Sequence, residues 1–456
     1  MISVSGMRGL VGTDLTPELV ARHAAALGAW AAAAGRPKVV LGRDSRTSGL
    51  MFARAAAAGL MSVGVDVIEL GVVPTPTVQM AVEHHGAGAG LILTASHNPI
   101  EWNALKFVGP DGIFLDAESG AAVRKLAEEG PARAGWDTLG TILDDPEAVD
   151  RHFDAILALP VIDVAAIRAR RFHVALDTVR GAGGASIPLL LERLGCQVTG
   201  INLAADGRFP RAPEPIPENL ADLGHLVRES GADLGMAVDP DVDRLALVDE
   251  KGRAIGEDYT LAFAVRAVLG DQGDQGGQGG QGGQVVVVNL STSLVVEDAA
   301  RDGGARFERA AVGEANVARA MRDRGAVIGG EGNGGVMYPA LHTGRDAPLG
   351  VALILHHLAH TGRTVSELVT ASPSYAIVKD KAPRGGDLAA LYEALRGRFA
   401  DGAVDERDGL RLGWKDRWLH VRPSGTEPIV RLIAEAPTAA EARALIAAGA
   451  SLMHQG

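Results

Sequence analysis

Four times along this chain a short apolar run ends in a polar loop marked by glycine or proline. Gly90-Leu91-Ile92-Leu93 runs into Thr94-Ala95-Ser96-His97-Asn98-Pro99, and Leu234-Gly235-Met236-Ala237-Val238 runs into Asp239-Pro240-Asp241-Val242-Asp243-Arg244. Ala326-Val327-Ile328 leads into a glycine-rich stretch ending Glu331-Gly332-Asn333-Gly334-Gly335, and Trp418-Leu419-His420-Val421 into Arg422-Pro423-Ser424-Gly425-Thr426-Glu427-Pro428. Runs this short are strand-sized. Through the first 370 or so residues they alternate with alanine-rich helical stretches, such as 54–63 and 259–269, which argues for parallel α/β layers. Open α/β sheets bind ligands at the loops that follow strand ends, so the repetition allows four loops to meet at one cleft.

The 456 residues divide on this reading into four units: 1–150, 151–256, 257–370 and a smaller last unit, 371–456. Between the helix 259–269 and the strand 285–289 lies a Gly/Gln/Asp repeat, 271–284, that has no apolar surface to bury and reads as a disordered surface loop. A net charge of -12 with scattered basic residues argues against a nucleic-acid partner. The single cysteine, Cys196, excludes a disulfide within the chain and fits a reducing cytoplasm. No signal-peptide pattern is visible at the start and no apolar stretch is long enough for a membrane span.

The first loop carries a hydroxyl, Ser96, stiffened by the restriction Pro99 places on Asn98; an ordinary Ser-His-Asn turn is the alternative. His97 is a candidate acid/base group, and Lys106 a candidate cation beside a phosphate or a proton carrier. A serine-hydrolase reading lacks the Gly-x-Ser-x-Gly elbow. In the second loop Asp239, Asp241 and Asp243 alternate. In an extended segment side chains two apart share a face, so three carboxylates are expected together, repelling one another unless a cation compensates. Hard oxygen donors imply Mg²⁺ or Ca²⁺. The EF-hand alternative fails at its sixth position, where Arg244 stands in place of glycine. Arg244 would then lie close to the metal. In the third loop Glu331 and Asn333 are candidates for bonding sugar hydroxyls, with glycines letting backbone approach a ligand. In the fourth, the guanidinium of Arg422, the hydroxyls of Ser424 and Thr426, and Gly425 together read as a phosphate cradle.

With these loops in this order the chain resembles the α-D-phosphohexomutase family over nearly its whole length, from Ser5-Gly6-Met7-Arg8-Gly9 onward. The resemblance implies three similar α/β domains with mixed sheets and a smaller α+β C-terminal domain around a central cleft. It implies a phosphate on Ser96, and one Mg²⁺ held by Asp239, Asp241, Asp243 and that phosphate. It puts Arg8 and Lys106 at the reaction centre with His97 and Arg244 nearby, the Glu331 loop on the sugar, and the Arg422 loop on the substrate's other phosphate. The implied activity interconverts hexose 6- and 1-phosphates through a bisphosphate, with glucose or glucosamine 1,6-bisphosphate as candidate activator, in a monomer or homodimer. The fourth motif is most similar to phosphoglucosamine mutases; phosphomannomutase/phosphoglucomutase is the alternative. The third departs from the common Glu-x-Ser-x-His pattern, with Asn333 at the serine and Gly335 at the histidine. That departure implies one lost contact to the sugar or its phosphate.

Overall fold

A computed structural model describes residues 2–3, 6–270, 283–385, 387–424 and 429–453. Residues 271–282, Gly425 and Thr426 therefore lie outside the described residues. The chain builds four sheets in succession. The first has seven strands in the order Ile2–Ser3, Gly6–Leu10, Trp102–Val108, Ala89–Leu93, Lys38–Arg43, Asp66–Val72, Ile142–Asp144. The second runs Leu245–Val248, Leu234–Val238, His173–Asp177, Gln197–Ile201. The third runs Arg306–Ala310, Val285–Asn289, Ile328–Glu331, Gly335–Met337. The fourth is a five-stranded antiparallel sheet from Ala376–Pro383 to Ala403–Asp405.

The first three sheets are mixed, and they are mixed in the same way. Ala89–Leu93 pairs in parallel with Lys38–Arg43 on one side and antiparallel with Trp102–Val108 on the other. Leu234–Val238 lies parallel to His173–Asp177 and antiparallel to Leu245–Val248. Ile328–Glu331 lies parallel to Val285–Asn289 and antiparallel to Gly335–Met337. Each of these three loops thus joins an antiparallel pair, and the strands flanking the fourth, Trp418–Pro423 and Ile429–Ala436, are also antiparallel partners. The sheets are mixed, as the family resemblance implies; the antiparallel strand that follows each loop, in place of a crossover helix, is what the strand–helix alternation alone did not indicate.

Parallel strands covered on both faces read as continuous apolar runs, and Ala89–Leu93, Leu234–Val238 and Val285–Asn289 are buried throughout. The second and third sheets share one continuous core, which includes Leu176, Met236, Val242, Phe263, Val288, Val336 and Leu353. The fourth sheet has its own core around Leu395, Leu419 and Leu432. The first helix after Lys38–Arg43 spans Gly49–Met61, starting earlier than the apolar periodicity alone suggested. The helix Ala347–Thr361 starts on Asp346, whose Oδ1 accepts from the Leu349 amide at 2.8 Å, with proline in its first turn. It buries Leu349, Val351, Leu353, Ile354 and Leu355; at about 1.5–3 kcal/mol per side chain this anchors the segment just before it.

Candidate active site

Ser96 sits at the end of the first sheet's Ala89–Leu93 strand with φ +48°, a left-handed conformation uncommon for serine. Its loop is held from below. The buried Arg46 guanidinium uses all five N–H groups: Nε donates to Asp44 Oδ2 (3.0 Å), Nη1 to the Pro99 and Trp102 carbonyls (2.6 and 3.0 Å), and Nη2 to the Ser96 and Asn98 carbonyls (2.6 and 2.7 Å). Asp44 also accepts from the Thr94 hydroxyl at 2.7 Å, and Thr94 Oγ1 accepts from the Ser96 amide at 2.9 Å. Backbone strain of this kind persists where the surroundings over-determine it.

Ser96 Oγ donates to Asp239 Oδ2 at 2.9 Å, and His97 Nδ1 lies 3.4 Å away. Asp239, Asp241 and Asp243 are all buried, and one carboxylate oxygen from each lies within 4.8 Å of the others. They meet by a different route from the extended alternation expected above. Residues 239–244 form a tight turn closed by the Val242 amide on the Asp239 carbonyl (3.2 Å), with Val242 at φ +62°. A β-branched residue in that region is a genuine backbone outlier, and Val242 is fully buried, so packing holds it there.

Each carboxylate has one side pinned. Asp239 Oδ1 accepts from the Asp243 and Arg244 amides (3.2 and 3.3 Å). Asp241 Oδ2 accepts from Lys106 Nζ (2.7 Å) and the Thr75 hydroxyl (2.9 Å). Asp243 Oδ2 accepts from Arg345 Nη2 at 2.5 Å. Asp241 Oδ1 and Asp243 Oδ1 are buried and accept no hydrogen bond. Asp243 Oδ1 lies 3.6 Å from Arg244 Nε, too far for a hydrogen bond, and buried carboxylate oxygens without a donor cost free energy unless a cation meets them. The donor set, all hard oxygen, suits Mg²⁺.

Charge around the triad follows from burial and proximity. Burial, reinforced by Asp243 and Asp241, raises the Asp239 carboxyl well above the usual range. Burial alone would raise Asp241 too, but Lys106 outweighs it and lowers the group. Burial lowers and the two aspartates raise Lys106, and the aspartates win, so the ammonium stays charged. Burial, with Arg244 and Arg8 adding, pushes His97 down to about 2, leaving a neutral imidazole.

Arg8 and Lys106 reach the site from adjacent strands. In the antiparallel register Gly6 faces Lys106 and Ala104 faces Arg8, so the two cations stand on one face opposite small residues. A Cβ on Gly6 would lie 1.9 Å from the Leu105 carbonyl oxygen, which no side chain tolerates. Arg8 Nη1 donates to Asn98 Oδ1 at 2.7 Å. Arg244, from the second sheet, reaches Glu214 at 3.4 Å. The result is a 170 Å³ cavity whose lining includes Arg8, Ser96, His97, Lys106, Arg244 and Arg345.

Not every expected residue lies there. Glu331 is buried and accepts from Asn289 Nδ2 (2.9 Å), the Gly313 amide (3.1 Å) and Arg345 Nη1 (2.9 Å). Asn333 Oδ1 accepts from the Gly335 amide at 3.2 Å, shaping its own turn. Arg422 stands off the cavity wall, paired with Asp408 at 2.9 Å, and the Ser424 amide donates to the Ile429 carbonyl at 2.9 Å. Several residues at the site went unread in the sequence, Glu314 on the cavity wall among them. Arg46 and Asp44 look like any charged turn after a strand, and Thr75 carries no motif. Arg345 precedes an Asp-Ala-Pro helix start, the one signal that could have drawn attention to it.

Models of all four phosphoglucomutase/phosphomannomutase domains match the chain: α/β/α domain I at residues 2–133, domain II at 150–252, domain III at 257–375 and the C-terminal domain at 375–451. The chain belongs to the α-D-phosphohexomutase family. This phosphohexomutase is 38% identical to a phosphoglucomutase/phosphomannomutase of Thermococcus kodakarensis, over 99% of the chain and 97% of the relative. It is 38% identical to a probable phosphoglucosamine mutase of Methanopyrus kandleri, over 97% and 95%. A crystal structure of a phosphoglucomutase/phosphomannomutase family protein from Burkholderia thailandensis superposes with a TM-score of 0.84 at 26% identity, covering 98% of this chain and 96% of that one. Among the described residues no helix of the phosphohexomutase is long and apolar enough to cross a membrane.

Proposed function

We propose that this phosphohexomutase moves a phosphoryl group between Ser96 Oγ and a hexose phosphate, interconverting the 6- and 1-phosphates through a bisphosphate, with glucosamine 6-phosphate as preferred substrate. The observation that supports the transfer is the setting of Ser96 Oγ: 2.9 Å from Asp239 of a buried carboxylate triad in which one oxygen each of Asp241 and Asp243 accepts no hydrogen bond, and on the wall of a cavity where Arg8, Lys106 and Arg244 supply positive charge. Asp239, Asp241 and Asp243 hold Mg²⁺ in this reading, which supplies charge stabilisation to the transferring group.

Phosphoryl transfer asks mainly for positioning and for positive charge around the equatorial oxygens. Arg46 fixes the serine, and Arg8, Arg244 and the charged Lys106 face the place its phosphate would occupy. In the first half-reaction the O–P bond at Ser96 breaks as one forms at the sugar's free hydroxyl, whose proton passes to Ser96 Oγ; in the second the O–P bond at the sugar's other oxygen breaks as the bond at Ser96 re-forms, and the serine proton passes to that sugar oxygen. His97 Nδ1, neutral and 3.4 Å from Oγ, is placed to relay it. The bisphosphate then turns around, and the Arg422 loop, with Ser424, Gly425 and Thr426, takes the phosphate that is not reacting. Bound glucose or glucosamine 1,6-bisphosphate would reload a dephosphorylated serine.

The glucosamine assignment is supported by the probable phosphoglucosamine mutases among the relatives, including those of Methanopyrus kandleri and Methanothermobacter thermautotrophicus. The Thermococcus kodakarensis relative supports phosphoglucomutase/phosphomannomutase activity as the second reading. Rates measured in parallel on the 6- and 1-phosphates of glucosamine, glucose and mannose decide between them. A kcat/KM for glucose or mannose phosphate above that for glucosamine phosphate overturns the first.

A further inference from the structure

Arg345 makes the densest set of charged contacts around the cavity. Its Nη2 donates to Asp243 Oδ2 (2.5 Å), its Nη1 to Glu331 Oε2 (2.9 Å), and its Nε to Glu314 Oε2 (3.1 Å). Those three carboxylates come from the carboxylate turn, the glycine-rich loop and the start of the helix Glu314–Arg324. The segment carrying Arg345 is itself docked on the carboxylate turn, through the Ala347 amide on the Val242 carbonyl at 3.3 Å. The glycine-rich loop leans on the same turn, through the Leu245 amide on the Gly334 carbonyl at 3.0 Å.

Gly335 belongs to this arrangement. A Cβ built there would stand 2.3 Å from Arg345 Cδ and 2.8 Å from its Cγ. Contacts that short do not occur, so a side chain at 335 and the Arg345 stem exclude each other. The position that lost its side chain is filled by an arginine from further along the chain. Two of the buried carboxylates that would face a cation are treated alike: Lys106 holds one oxygen of Asp241, Arg345 holds one oxygen of Asp243, and in each the other oxygen accepts no hydrogen bond, Asp243 Oδ1 lying 3.6 Å from Arg244 Nε.

We propose that Arg345, admitted by the missing side chain at Gly335, is a positioning residue that aims Asp243 at the divalent cation and ties that aim to Glu331 of the glycine-rich loop. The proposal rests on the functional reading above and deepens it. Outer groups that orient metal ligands typically govern affinity by about 10- to 100-fold. A lysine offers a single ammonium, which does not span Asp243 and Glu331 together.

The test is calorimetric titration of Mg²⁺ into the intact protein, without substrate, for wild type, Arg345→Gln, Arg345→Lys and Gly335→Ala, each checked for a cooperative melt. Steady-state KM and kcat on hexose 6-phosphate are measured beside it. Gly335→Ala keeps every charge and collides chiefly with the arginine stem, its next neighbour being Asn333 Oδ1 at 3.1 Å, so it decides the matter if Arg345→Gln does not fold. The expected result is Mg²⁺ affinity weaker by about tenfold or more in Arg345→Gln and Gly335→Ala, with KM raised. Arg345→Lys is expected to recover part of the cation affinity while KM stays high. Wild-type Mg²⁺ affinity in a folded Arg345→Gln or Gly335→Ala protein overturns the role of Arg345. A wild-type protein that neither binds Mg²⁺ nor turns over hexose phosphate overturns the functional reading itself, and Arg345 with it.

Discussion

Replacing Arg46 by lysine tests how the reactive loop is held. The guanidinium's five N–H groups meet five acceptors, four of them backbone carbonyls of Ser96, Asn98, Pro99 and Trp102. Its side chain is fully excluded from solvent, as is that of its partner Asp44. Its planar face also lies 5.0 Å from the Phe209 ring centroid, a contact between the first and second units. Lysine brings three donors, so at least two acceptors lose theirs at side chains closed off from solvent. Hydrogen bonds to a charged group contribute about 1.5–3 kcal/mol each, and disturbing a buried ion pair costs about 3–5 kcal/mol. We expect Arg46→Lys to lose about 3–5 kcal/mol in urea unfolding with an unchanged m-value. That leaves the protein folded but removes the restraint on Ser96 at φ +48°. Misplacing a reacting atom by about 1 Å costs on the order of 100-fold, so kcat should fall by about that factor while KM moves little. A loss below about 1 kcal/mol, the size of an ordinary substitution, together with near-normal kcat, would refute the reasoning.

The other expectations are more direct. Ser96→Ala should keep the fold and abolish mutase turnover, and intact-mass analysis of the working wild-type enzyme should find one phosphate at this residue; substantial turnover in the alanine variant sinks the assignment. Asp241→Asn leaves Lys106 short of its counter-charge and should weaken activation by Mg²⁺ by at least about tenfold, read as the Mg²⁺ concentration for half-maximal rate. Asp258, pushed up to about 8 chiefly by burial, holds its proton in the folded protein where an unfolded chain, with a carboxyl near 4, has released it. The folded state then binds more protons, so stability falls as pH rises from about 4 to about 8. Asp258→Asn should flatten that part of the profile, and an unchanged slope would assign it elsewhere.

The loops that carry chemistry were legible because each interrupts an apolar run with residues that neither pack a core nor continue a helix. Ser96, the three aspartates and Arg422 stand out for that reason. What was not legible was how the pieces are brought together. The Asp239–Arg244 segment reads as extended, since alternation gives the same facing as the turn that actually forms. Its left-handed Val242 has no sequence signature, because the strain is maintained by tertiary packing. Arg46, Thr75 and Arg345 act across long sequence separations, from a different strand, helix or unit than the groups they hold, and no local pattern records that. Gly335 was visible as an absence, but its consequence depended on knowing that Arg345 occupies the vacated volume.

Each of the four chemical loops is flanked by strands that pair antiparallel, so both of its ends are stitched into the same sheet. A loop anchored this way travels with its platform and has little freedom of its own. On the mechanism proposed above, a wider or narrower gap between Ser96 and Arg422 would then come from tilting whole platforms against one another. The seam near 375, where the third and fourth domains meet, is where substitutions outside every signature loop would then act on turnover.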